Sequence, residues 1–134
     1  MNKFEKQNNP NKQGDMGMGL AISYFTLKGW TVCLPLTDSQ SYDLVVDDGI
    51  NLNKVFIRTS TRKVESGGYE VNLRSQGGNF TRKNKTKLFD KSKCDLVFVA
   101  CSDGRQYLIP SDKINSKSTI SVGGKTYNTF LIAS

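Results

Sequence analysis

Asp95-Leu96-Val97-Phe98-Val99-Ala100-Cys101 is an almost unbroken apolar run. A half-exposed strand alternates apolar with polar residues, so a continuous run of this length reads as a strand buried on both faces. Ser102-Asp103-Gly104-Arg105 then turns the chain into Gln106–Ile109, a hairpin ended by Pro110. It is also the longest apolar stretch in the chain and far too short to cross a bilayer. With 134 residues the chain suits one domain around a single core.

The other elements give an α/β or α+β order. Gly14–Lys28 reads as a helix, with Met16, Leu20, Tyr24 and Leu27 at helical spacing and Gly29 placed to end it. Its glycines, Gly14, Gly17 and Gly19, lower helix propensity but let a backbone pass close to a neighbour. Strands are expected at Trp30–Leu34, Tyr42–Val46, Lys54–Ser60 and Tyr69–Ser75. Gly67-Gly68 would make the last two an antiparallel pair. Ser111-Asp112 is a candidate cap for a short helix, and Ile120–Val122 with Tyr127–Ile132 would close a small hairpin. Trp30 and Phe98 are expected in the core. The expected division is a polar arm over residues 1–13, then one domain over 14–134. The N-terminus carries no apolar signal segment, so a cytoplasmic location is the expectation.

Residue types exclude several chemistries. There is no histidine, hence no mixed Cys/His zinc site and no histidine general base. Cys33, Cys94 and Cys101 are odd in number and lie in apolar strand-like runs, which favours buried thiols over a disulfide framework.

The basic excess is concentrated. Between Lys54 and Lys93 there are eleven Lys and Arg against three acids, whereas the rest of the chain has eight bases and nine acids. The densest part, Arg82, Lys83, Lys85 and Lys87, follows Gln76-Gly77-Gly78-Asn79. A loop of this composition suits phosphates, because released counterions drive binding to nucleic acid. A solvated surface loop is the plainer alternative.

Two strand-like runs carry the possible chemistry: Tyr42-Asp43-Leu44-Val45-Val46-Asp47, then Lys54-Val55-Phe56-Ile57-Arg58-Thr59. A carboxylate on one strand and a cation on the next is how many metal-dependent nucleases hold Mg²⁺ beside a phosphate. Together with Gly14-Asp15-Met16-Gly17, Trp30–Pro35, Tyr69–Ser75 and Tyr107-Leu108-Ile109-Pro110, these runs resemble, in order from Gly14 to Phe130, the intron-encoded homing endonucleases of the PD-(D/E)XK class. The resemblance implies a restriction-endonuclease-like mixed sheet flanked by helices. It also implies a mobile-element ancestry of Mg²⁺-dependent cleavage of double-stranded DNA by homo-oligomers, dimers or tetramers.

Position by position, the resemblance puts the family's strand carboxylate on Asp43. Its helical glutamate falls on Met18, its acidic or glutamine position on Phe56 and its catalytic lysine on Arg58. Mg²⁺ prefers several hard oxygen ligands, so Asp43 alone would hold it weakly. Phe56 puts an apolar ring where a ligand should stand and, with Met18, would fill the site. Arginine grips phosphate but is poor at tuning a nucleophilic water. Asp15 and Glu70 are candidate relocated carboxylates; Asp47 is about 13 Å along the strand and too far.

Three functional classes follow: a DNA-binding protein with a degenerate nuclease site, an active Mg²⁺-dependent endonuclease with an altered site, or a module that meets an acidic protein partner. No membrane association is expected. In the DNA readings Arg62, Asn72, Arg74, Gln76 and Asn79 would face base edges, since Arg, Asn and Gln make bidentate contacts there. Lys63, Arg82, Lys83, Lys85 and Lys87 would meet phosphates. A merely solvated face is the alternative.

Overall fold

In a computed structural model, described over residues 3–4, 9–76 and 86–134, one helix packs on a six-stranded sheet. The helix is α1 (Pro10–Leu27), and the strands are β1 (Thr31–Cys33), β2 (Leu44–Asp47), β3 (Leu52–Ser60), β4 (Tyr69–Asn72), β5 (Ser75–Gln76), β6 (Thr86–Lys87), β7 (Leu96–Cys101), β8 (Gln106–Pro110), β9 (Thr119–Val122) and β10 (Leu131–Ala133). The main sheet runs β1-β2-β3-β7-β8-β10 and is antiparallel except where β3 and β7 pair parallel. Among the described residues no helix is long and apolar enough to cross a membrane.

β7 is the central strand that its composition predicts. It pairs with β3 on one side and β8 on the other, and Val97, Phe98, Val99 and Ala100 are completely buried. Phe98 and Ala100 face α1 with Leu44, Val46, Val55 and Ile57, whereas Val97, Val99 and Cys101 face Val71, Leu73, Tyr107 and Val122. The alternation of a strand thus divides the core into two layers. Among the described residues the second layer is covered by a two-stranded sheet, β4 with β9, and not by further α-helices.

Several expectations are corrected. The helix starts at Pro10, so residues 10–13 belong to it rather than to an arm; Asn9 Oδ1 accepts the Asn11 and Lys12 amides and Pro10 opens the first turn. Its buried face is Gly17, Ala21 and Phe25, one position out of phase from the large residues, and Leu27 is 85% exposed. Gly17 suits that face because β3 runs close beneath: a Cβ there would lie 2.7 Å from Thr59 Cγ2. Cys33 is exposed because β1 is an edge strand, whereas Cys94 and Cys101 are buried. Burial pushes those two thiols up to about 11 and about 12, which leaves them unreactive. Trp30 is half-buried and stacks on Phe25 at 5.6 Å, and Phe98 is fully buried.

The expected pairing of Lys54–Ser60 with Tyr69–Ser75 does not extend into β3: β2 pairs with Leu52–Val55 and β7 with Val55–Ser60, while the antiparallel pairing around Gly67-Gly68 stops at a Lys63–Tyr69 bridge. The chain instead bends outside the sheet, where Glu70 N–H donates to Arg62 O and Val64 N–H to Gly68 O. β9 is taken by β4, and β10 fills the open edge of β8, so the expected C-terminal hairpin is also absent. Ser111–Lys113 forms a single 3₁₀ turn, but the Ser111 hydroxyl donates to Cys94 O at 2.7 Å instead of capping it.

Three turns meet at Arg105. Its guanidinium pairs with Asp103 at 2.7 Å and donates to Gly67 O at 2.7 Å and Gly123 O at 3.2 Å. Beside it, a Cβ on Gly68 would strike Val122 O and the backbone of Gly123 and Gly124. Because those atoms are main chain, Gly68→Ala is expected to cost about 2 kcal/mol in urea unfolding. Gly19→Ala meets nothing and is expected to gain up to about 1 kcal/mol by helix propensity.

Candidate active site

Where α1 passes the mouth of β2 and β3, a cleft of about 450 Å³ opens, lined by Asp15 and Met18 from the helix and by Asp43, Ile57 and Arg58 from the sheet. Asp43 precedes β2, and its amide continues the ladder by donating to Val55 O at 2.8 Å. Its side chain bends back, so that Oδ2 accepts the Ile57 N–H at 2.7 Å. The carboxylate is thereby fixed by the strand that carries Arg58.

Burial dominates the electrostatics. It pushes the Asp43 carboxyl above the usual carboxylate range, against the opposing pull of the Ile57 N–H and the Arg58 guanidinium. Burial likewise lowers Arg58, while Asp43 opposes that shift. Arg58 Nη1 donates to Ile57 O at 2.9 Å and Nη2 to Arg74 O at 3.4 Å. Its Cζ lies 3.9 Å from the centroid of the Phe56 ring.

The cleft gathers Met18, Asp43 and Arg58 but not the Phe56 ring. Phe56 points into the opposite core layer, 5.3 Å from Phe89, and does not fill the cleft beside Met18. Residues 56 and 58 share a strand face, so the arginine follows the ring away from the helix side. Of the relocated-carboxylate candidates, Asp15 lines the cleft, whereas Glu70 pairs with Arg62 at 3.1 Å elsewhere. Asp47 accepts the Gly49 N–H and serves the β2–β3 turn. Among the described residues no three Asp, Glu or Cys side chains converge as a metal site would require. One carboxylate with an oxygen already committed, a second on the helix and a guanidinium between strands make a poor donor set for Mg²⁺.

The polar strand face forms as its alternation predicts. Asn72 and Arg74 are exposed while Tyr69, Val71 and Leu73 are buried. Arg74 N and Nε both donate to Asn72 Oδ1, at 3.0 and 3.2 Å. Lys63 and Lys87 are exposed, and the Gln76 main chain is in β5. Asn79, Arg82, Lys83 and Lys85 lie outside the described residues. Sequence reasoning missed Ile57, whose contribution is a backbone N–H and leaves no trace in side-chain type. It also missed Pro10 and Asn11 at the rim of the cleft, although Asn9-Pro10 is a legible helix start.

A mixed sheet with a buried central strand, a helix on one face and a carboxylate–cation pair at the strand mouth define a nuclease-type fold. The model of the PD-(D/E)XK endonuclease family matches residues 8–126, and the chain belongs to that family. Among solved structures it is similar to a bacterial homing endonuclease, I-Ssp6803I, with a TM-score of 0.71 and 25% identity over 90% of this chain and 87% of the other. No curated relative matches it by sequence.

The Asp43 shift has a definite sign. A carboxyl raised in the folded state adds stability at low pH, which is lost as pH rises through the raised value. Asp43→Asn keeps an acceptor for the Ile57 N–H and removes the buried charge. It is expected to melt higher than the parent protein at pH 7, with the gap closing toward about pH 3. Equal melting temperatures at pH 7 would show that Arg58 and the amide outweigh desolvation.

Proposed function

We propose that this protein binds double-stranded DNA on a nuclease frame whose cleavage chemistry has been lost. One observation carries the reading: Arg58, which the resemblance puts at the family's lysine position, lays its guanidinium on the Phe56 ring and gives one N–H each from Nη1 and Nη2 to the main-chain carbonyls of Ile57 and Arg74. A group held that way is not free to order a water at a scissile phosphate. The only fixed carboxylate beside it already accepts the Ile57 amide. The basic segment between Lys54 and Lys93, with Asn72 and Arg74 on its exposed strand face, supports contact with a polyanion.

A second reading keeps one observation of its own. Asp15 and Asp43 line the same cleft, so an active endonuclease with a shifted carboxylate would use that pair. In that case Mg²⁺ would be the cofactor, as in the family.

Both readings are tested on plasmid and on short duplexes. Affinity for duplex DNA is expected to drop about a thousandfold between 50 and 200 mM salt, the behaviour of some six phosphate contacts. No nicking is expected in Mg²⁺ or Mn²⁺. Nicking that disappears in both Asp15→Asn and Asp43→Asn establishes the second reading instead. Absence of binding even at low salt eliminates both and leaves an acidic protein as partner. Restoring Met18→Glu, Phe56→Gln and Arg58→Lys together is expected to bring metal-dependent cutting at low salt.

A further inference from the structure

We infer that Arg58 is a positioning residue that sets the angle of the strand joint presenting Asn72 and Arg74, and so acts on DNA through those side chains and not by touching a phosphate. This rests on the DNA-binding reading above and specifies how one part of the interface is built.

The joint is where the support is needed. The β4–β9 ladder ends at Asn72, and the β5–β6 ladder begins at Ser75. The Arg74 carbonyl therefore lies outside both ladders, and it accepts from Arg58 Nη2. Leu73 is anchored from the other side by donating to Ser118 O at 2.8 Å. Arg58 thus ties the joint to β3 and the main sheet, while Ser118 ties it to the approach to β9. The anchor itself is firm, because Nη1 is held by Ile57 O and the guanidinium face is held by a ring that packs on Phe89.

From this joint the two polar side chains project as one unit. The Arg74 Nε and main-chain N–H both bond Asn72 Oδ1, which aligns the guanidinium of Arg74 with the amide of Asn72. With Asn72 Oδ1 given to that brace, it is the Nη groups of Arg74, held in a fixed direction, that suit bidentate contact with a guanine edge or paired phosphates. Movement of the Arg74 carbonyl would rotate both side chains. Lysine cannot take over the anchor: a single ammonium cannot lie flat on Phe56 while bridging the carbonyls of Ile57 and Arg74.

The test compares the parent protein with Arg58→Lys and Arg58→Gln. Hydrogen exchange is followed at Leu73 and Arg74, with the β7 amides as the control for folding. Both variants are expected to exchange at least tenfold faster at the joint with β7 unchanged. Both should bind duplex DNA about tenfold more weakly with an unaltered salt slope, although Arg58→Lys keeps the charge. In the Arg74→Ala background, Arg58→Lys should cost no further affinity, since the reader it positions is gone.

A direct phosphate contact gives the opposite pattern and overturns the inference. Arg58→Lys would then retain affinity, and Arg58→Gln would lower the salt slope by about one. Unchanged exchange at the joint in a parent that binds DNA also sinks the positioning role, leaving the DNA reading intact. If the parent binds no duplex at any salt, the DNA reading itself has failed and this role falls with it.

Discussion

Everything in this molecule is hung on β7, a strand with no exposed side. Its backbone is saturated by β3 and β8, and its alternate side chains are buried in two separate layers. Each fully buried Val, Leu or Phe contributes about 1.5–3 kcal/mol of transfer free energy, so both layers must be closed for the fold to hold. α1 closes one by close approach through Gly17 and Ala21. The β4–β9 sheet closes the other, knitted at its turns by Arg105. Because β3 lies between β2 and β7, its two faces look into different layers, and the candidate site inherits that division.

The division explains why Met18, Asp43, Phe56 and Arg58 have such different surroundings. Met18, Asp15 and Asp43 belong to the helix side, in an open cleft. Phe56 and the guanidinium of Arg58 belong to the hairpin side, on the ring of Phe89 and the carbonyl of Arg74. Asp43 is tied to β3 by the Ile57 amide and feels the Arg58 charge, and Arg58 itself also lines the cleft. A carboxylate so placed is costly to ionise, and it persists because the N–H and the nearby guanidinium offset part of the desolvation.

Much of this was legible from residue order, and the failures have physical causes. The apolar continuity of Leu96–Cys101 could only be a doubly buried strand, and the alternation at Tyr69–Arg74 correctly separated core from surface. Pairing was not legible. Gly67-Gly68 does mark a turn, but its antiparallel pairing ends at the Lys63–Tyr69 bridge, and the partners that β3 and β4 take, β7 and β9, lie far along the chain. The helix face was misphased because Gly17 and Ala21, too small to register in a pattern of large apolar residues, share the buried face with Phe25. Within the site, Asp43 and Arg58 were singled out from side-chain type, and the fold brings both to one cleft. Their fixing by Ile57 N–H, Ile57 O and Arg74 O was invisible, because main-chain groups carry no sequence signature.

The same geometry argues that residues 56 and 58 change together or not at all. They are neighbours on one strand face, and the cation rests on the ring, an interaction worth about 0.5–2 kcal/mol depending on desolvation. A lysine at 58 beside Phe56 would leave the ring without its cover and the Arg74 carbonyl without its donor. A polar side chain at 56 beside Arg58 would set an amide or carboxylate against Phe89 and exchange the ring contact for a partly buried polar one. Each single change is therefore uphill from this state, while the pair is self-consistent. A strand face that once could serve a reacting phosphate has, in this reading, been closed by two side chains that stabilise each other, and what they now hold in place is the exposed strand of Asn72 and Arg74.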